Sequence, residues 1–286
     1  MRSFLLSALC VFMVLAACNP QGSSDPAHQG NAADTTVPVK DTLSAAVGEE
    51  VFSPNDGFFP SYDSSYGGDL LGAGGYHWDE VKKGMDRQAW LGVFKSADGA
   101  YYVADTRVTI QQDYDPVLDE DSTQASGWLV TPEIQDTTIV LVSKISLQKG
   151  LVVPVAIPAY IRDDRMIPGD SLVFRYGGDY SYRLSVTGKK QRIAELDSWN
   201  VSDYRMYITA MKAGKLVSQL LINSPHNDDS IPSIIFIGDL DGDQVPDLIL
   251  NATNNYNAYV PTLYLSKDAG EGQLYRVVAQ HVSVGC

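Results

Sequence analysis

The chain has 286 residues, 44% hydrophobic and 20% charged, which supports one large or two small domains with a sizeable core and excludes both a disordered chain and a disulfide-stapled mini-protein. Lys+Arg 21 against Asp+Glu 35 gives a net charge of −14, so nucleic-acid phosphates and anionic lipid surfaces are repelled and no nucleic-acid partner is expected. The acids comprise 28 Asp and 7 Glu, and Asp favours turns where Glu favours helices, so the chain is expected to be rich in loops and strands.

Arg2 precedes an apolar run from Phe4 to Ala17 that is too short to cross a bilayer as a mature helix. The run ends Leu15-Ala16-Ala17-Cys18, which resembles the lipobox of bacterial lipoproteins. That resemblance implies a signal peptide at 1–17, cleavage before Cys18, acylation of Cys18 and a membrane partner reached through the lipid. Asn19 follows the cysteine where Asp would signal inner-membrane retention, so the resemblance implies the outer membrane, on its periplasmic face or at the cell surface. Cys10 then leaves with the signal and Cys18 is consumed, so Cys286 remains as a single thiol, either packed in the last strand or paired with a partner chain.

Residues 18–45 are Pro, Gly, Ser, Asp and Ala with few large apolar side chains, the composition of a disordered tether. Glycine-rich turns occupy 53–75, and HWDEVKKGMDRQ (77–88) offers a short helical stretch. WLGVFKS (90–96) and AYYVADTRVTI (100–110) flank Ala97-Asp98-Gly99 and predict a hairpin. Strand-length runs follow at 138–145, 151–157, 171–176, 180–188 and 191–199, with Pro154 and Pro158 demoting the second to an edge or bulged strand. The last third adds MYITAM, a Lys-Ala-Gly turn, KLVSQLLIN, SIIFIG, LILN, PTLYLS and QLYRVVAQHVSV. The fold class predicted is mainly β, an antiparallel sandwich or meander, with a β-rich domain at 46–200 and a β-meander at 201–286, joined or separate at a weak break near 200.

The strongest chemistry lies in SIIFIGDLDGDQVPDLILN (233–251). Carboxylates Asp239, Asp241, Asp243 and Asp247 occupy loop positions 1, 3, 5 and 9, and Val245 supplies a backbone carbonyl at position 7. Calcium seeks six to eight hard oxygens, which this spacing can wrap around one ion, whereas four carboxylates without a cation would repel one another. The loop and its flanking strands resemble the FG-GAP (integrin-propeller-like) and VCBS repeats, matching at Gly238, Asp239, Asp241, Gly242, Asp243, Asp247 and Leu248. The resemblance implies a structural calcium ion in a C-terminal β-hairpin unit. Gln244 departs from it, standing where the family carries a turn glycine that often has φ > 0. No second good copy occurs, so a complete propeller is not expected. The nearest, Asp113 to Asp121, has Val117 at position 5 and is read as a solvated acidic loop.

Enzyme motifs are weaker. Gly169-Asp170-Ser171-Leu172 spells the GDSL esterase tag but lacks the downstream Asp-x-x-His. IIFIGDLDGD is similar to the Asp-x-Asp-Gly-Thr motif of haloacid dehalogenase phosphatases, with Asp243 in place of the threonine and about 40 residues remaining. His77, His226 and His281 have no partner at metal-site spacing. The tyrosine clusters Tyr62/Tyr66, Tyr176/Tyr180/Tyr182 and Tyr256/Tyr259 suit either cross-strand packing or a glycan platform. The expectation is an outer-membrane-anchored, calcium-stabilised binding or envelope-structural module for a glycan or protein ligand; the alternative is a hydrolase acting on polysaccharide through carboxylates the sequence does not single out.

Overall fold

The computed structural model describes residues 49–50, 57–62, 65–121, 123–178, 180–194, 198–267 and 269–284. All of these belong to one compact unit, Asp41–Cys286. The acylation reading at Cys18, the tether and Cys286 lie outside the described residues.

The protein is mainly β, built from several antiparallel sheets, and no α-helix occurs among the described residues. A first, long-stranded sheet runs Lys215–His226, Ser198–Lys212, Tyr180–Ile193, Ser171–Tyr176, with Glu49–Glu50 added in parallel at one edge. A second sheet has the order Ser233–Gly238, Asp247–Asn251, Pro261–Leu265, Arg276–Gln280. The third has the order Asp69–Leu71, Thr137–Ser143, Trp90–Lys95, Tyr101–Thr106, Gly150–Val152, and the fourth is Gly74–Tyr76, Gly127–Pro132, Val108–Asp113. A small fifth ladder pairs Ala258–Tyr259 with Ser283–Val284.

Strand alternation sorts the side chains into three hydrophobic layers between these four sheets. Leu248, Leu250, Tyr264 and Val277 of the second sheet meet Leu184, Met206, Ile208 and Leu221 of the first. Their neighbours Ile249, Leu263, Leu265 and Val278 point the other way, onto Val93, Val103, Val140 and Val142 of the third. Beyond these, Leu71, Phe94 and Leu141 pack on Val108 and Val130 of the fourth. The second sheet is therefore covered on both faces, which explains why DLILN and PTLYL are continuous apolar runs without alternation. Polar contacts tie the layers together: the buried Gln219 Oε1 accepts from the Leu274 and Tyr275 amides (2.7 and 2.9 Å), and Tyr264 donates to the Leu221 carbonyl (2.7 Å).

The 90–96/100–110 hairpin forms as Trp90–Lys95 paired with Tyr101–Thr106. The helical stretch at 77–88 is instead a series of turns ending in one 3-10 turn, Met85–Arg87, because Gly84 takes φ 88 and breaks any continuous helix. The run at 180–188 continues through a bulge at Gly188 to form one strand, Tyr180–Ile193, and the run at 191–199 is divided: its first residues end that strand, while Ser198 and Trp199 open the next, Ser198–Lys212, and pair back onto it. Gly188 has φ 143, and a Cβ there would come within 2.8 Å of the Asp203 carbonyl oxygen, so only glycine fits. The run at 151–157 shrinks to Gly150–Val152 at the edge of its sheet, ending before Pro154. Ser198–Lys212 runs straight through position 200.

Candidate metal centre

The loop 239–246 closes the hairpin between Ser233–Gly238 and Asp247–Asn251, with Gly238 opposite Asp247. The paired strands thus bring the first and last acidic positions to the same end of the second sheet. One carboxylate oxygen from each of Asp239, Asp241 and Asp247 lies within 4.8 Å of the others. Asp243 lies outside that trio: its carboxylate accepts from the Val245 amide (2.8 Å) and from the Ser266 hydroxyl (2.7 Å). Val245 is half-buried and packs against the core between the first two sheets.

Backbone amides organise the acids. Asp239 accepts from the amides of Gly242, Asp243 and Gln244 at 2.6, 3.2 and 2.9 Å, which winds the loop around its carboxylate. Asp247, fully buried, accepts from Leu240 and Asp241 through one oxygen and from Ser266 through the other. The Asp239 amide in turn donates to the Tyr176 hydroxyl (2.9 Å), and the Tyr275 hydroxyl donates to the Pro246 carbonyl (2.7 Å). Gln244 takes φ 70, the conformation for which the repeat pattern carries glycine. Gly177 passes directly beneath this residue: a Cβ on Gly177 would lie 2.2 Å from the Gln244 carbonyl oxygen.

The electrostatics are those of a site short of positive charge. Burial, and then the nearby Asp243, push the Asp241 carboxyl up to about 6. Burial, reinforced by Asp241, holds Asp247 well above the usual carboxylate range despite its amide donors. A cation among these oxygens would offset both penalties. The donor set is all oxygen, which suits a hard divalent ion such as calcium. Ser266, Lys267, Tyr176 and Tyr275 carry no signal in the loop motif, since they reach it from elsewhere in the chain; the Lys267 amide donates to Asp241 at 3.3 Å.

The other sequence candidates separate clearly. Within 113–121, Asp115 is not solvated but buried, accepting from the Val117 amide at 3.0 Å and meeting His77 Nδ1 at 2.6 Å. Asp119, also buried, accepts from the Asp115 and Ser126 amides at 2.8 and 3.0 Å. These acids cap their own loop. Hydrogen bonding to Asp115 raises the His77 pKa, while burial lowers that of His281 to about 4; His226 is exposed. Ser171 opens a strand beside the Gly169-Asp170 turn, and Asp170 accepts from the Ile167 amide (2.9 Å). The tyrosines divide: Tyr182 stacks on Phe174 and Tyr62 bonds Asn254, whereas Tyr180, Tyr256 and Tyr259 are exposed. No helix among the described residues is long and apolar enough to cross a membrane.

Set against known proteins, the chain matches no family model, no curated protein and no solved structure.

Proposed function

We propose that this chain is an outer-membrane lipoprotein, acylated at Cys18, whose β-rich body is a binding module held together near its C-terminus by one calcium ion in an FG-GAP-like hairpin. The observation that carries the metal reading is the convergence of Asp239, Asp241 and Asp247 within 4.8 Å while two of them sit buried with raised pKa values. Asp239, Asp241 and Asp247 would hold the ion through their side chains, and Asp243 and Val245 complete the set that the spacing suggests. The ion's contribution is to neutralise these carboxylates and fasten the second sheet's hairpin to the segment at Ser266 and Lys267. A structural role follows from the placement: the loop joins strands of the sheet shared by two hydrophobic layers. A hydrolytic reading would need carboxyls of raised pKa at a separate cleft, and the aspartates raised among the described residues are Asp241 and Asp247 of this cluster.

The test is thermal unfolding in chelator and in excess calcium. At calcium one hundredfold above its dissociation constant the ion should stabilise the wild type by about 2.7 kcal/mol, a rise in Tm of roughly 5 to 10 °C for a domain of this size. Asp241→Asn should lose most of that increment. A wild-type Tm that calcium leaves unchanged would remove the metal reading.

A further inference from the structure

The last strand of the fold is too short to hold itself in place. Ser283–Val284 pairs with Ala258–Tyr259 over two residues, in a ladder that stands outside the four larger sheets. An isolated pair of strands is marginal in water even when longer than this. What fastens it comes from the turn at 77–80, at the opposite end of the folded sequence. One carboxylate oxygen of Glu80 accepts from the Val284 amide, and the other accepts from the Ser283 hydroxyl at 3.1 Å and from the His77 amide at 3.0 Å. The His77 side chain adds a second hold: its Nδ1 lies 2.6 Å from Asp115 Oδ2, and the Val284 carbonyl is a further acceptor on the same ring. Asp115 is buried, and its other oxygen accepts from the Val117 and Leu118 amides at 3.0 and 3.3 Å, which fixes the carboxylate and favours its charged form. A neutral imidazole donates from only one nitrogen, so a ring that faces two acceptors serves both only as the imidazolium. Asp115 and Glu80 are the charged groups that act on this ring. Nearby stand Tyr76, Tyr259, Lys82 and His281, with Lys82 acting on His281. His281 leads into the strand: its amide donates to the Pro261 carbonyl (3.1 Å), and its ring meets Tyr76 edge-on, 5.2 Å between centres.

We propose that His77 is a proton-operated clasp on the C-terminal strand: the imidazolium holds Ser283–Val284 against Ala258–Tyr259, and loss of its proton frees that strand and bares the edge it covers. Hydrogen bonding to Asp115 raises the His77 pKa above its ordinary value of 6.5. The contribution of this ring to closure is therefore fully present below the unfolded value and is lost as pH rises through the folded one. The His77 side chain is 20% exposed, so its proton can leave without the fold opening first. His281 works in the opposite sense. Burial lowers its pKa to about 4, so its contribution is present above the ordinary 6.5 and is lost as pH falls towards 4. The strand is held best where the two ranges meet, at mildly acid pH, and it is released on the alkaline side by His77 alone. Two ladder pairs cannot replace the lost contact, whereas the larger sheets carry no part of this clasp and stay closed. The device uses none of the acidic-loop residues and does not depend on the metal reading.

The experiment is amide hydrogen exchange on the full chain in detergent at pH 6 and pH 8.5, each rate divided by the intrinsic rate at its pH. Protection of 281–284 should fall at least about tenfold between the two, while that of Pro261–Leu265 and Ser233–Gly238 stays unchanged. His77→Gln keeps a donor but cannot titrate, so its protection at 281–284 should be low and equal at both values. Glu80→Gln should lower protection at both values and keep the alkaline fall. His281→Phe, which retains the packing on Tyr76, should keep that fall too. A nitrogen-detected titration of the His77 ring in the wild type checks the same point without any variant: the ring should carry both protons at pH 6 and lose one over the range in which protection falls. Unchanged wild-type protection at pH 8.5, a fall that persists in His77→Gln or disappears in His281→Phe, or a His77 ring already neutral at pH 6 would overturn the proposal. A fall shared by all the sheets would also overturn it, since the alkaline change would then be global.

Discussion

Asp241 is held in a place that disfavours its charge, with burial and Asp243 together raising its pKa to about 6. In the metal-free protein the folded state therefore binds this proton more tightly than the unfolded chain does, near pH 4. Its contribution to stability is fully present below that unfolded value and is lost as pH rises through about 6. In chelator, the Tm difference between wild type and Asp241→Asn should accordingly move against the wild type between pH 4 and pH 7. At the proposed site calcium would compete with the same proton and reverse the sign, so the calcium-induced Tm shift should grow across that window. Paired Tm measurements at pH 5 and pH 7 check both. Another residue gives a sharper prediction about packing. Tyr204 is fully buried, and its hydroxyl has no hydrogen-bond partner among the described residues. A buried unsatisfied polar group costs about 1–3 kcal/mol, so Tyr204→Phe should stabilise the fold by about 1 kcal/mol in urea denaturation.

The acidic hairpin is an element that depends on its neighbours. Gln244 keeps its left-handed φ while its carbonyl rests against Gly177, at the end of a different sheet. Gly177→Ala adds a Cβ 2.2 Å from that oxygen at a φ of 60, so the loop or the Tyr176 turn must move. The expected cost is about 1–3 kcal/mol in chelator. The calcium Tm shift should shrink as well, since the same displacement disturbs the Tyr176 hydroxyl that receives the Asp239 amide. A Gly177→Ala protein with unaltered stability and calcium response would show that the close approach is dispensable. At this scale the motif at 239–247 was readable because local spacing dictates which acids meet. The partners Ser266, Tyr176 and Tyr275 were not, because 19 or more residues separate each contact pair.

For the whole molecule, the second sheet is the shared layer. Leu248 and Leu250 serve one core while Ile249 and Leu263 serve the next, so damage on either side reaches both. Leu263→Ala should cost about 2–5 kcal/mol, whereas Val173→Ala on the outer, partly exposed face of the first sheet should stay within about 0.5 kcal/mol. Calorimetry should show one transition, with the calorimetric and van't Hoff enthalpies equal, for wild type and for Leu263→Ala. Two separable transitions would mean that the layers fold independently.

The amino-acid sequence by itself determined the β-rich character, the hairpin at 90–106 and the set of acids that could meet a cation. Each follows from local rules: turn chemistry, alternation over a few residues and the reach of side chains within one loop. Tertiary structure decided what those rules leave open. Gly188 resembles a break until its partner strand shows it to be a bulge, and the 77–88 stretch resembles a helix until Gly84 takes φ 88. Asp115 looks solvated until His77 closes on it. The cleft between the 160–170 turn and the end of the long-stranded sheet had no signature at all, because its walls come from segments that meet only in the folded chain. Long-range pairing, which no local pattern encodes, set those outcomes.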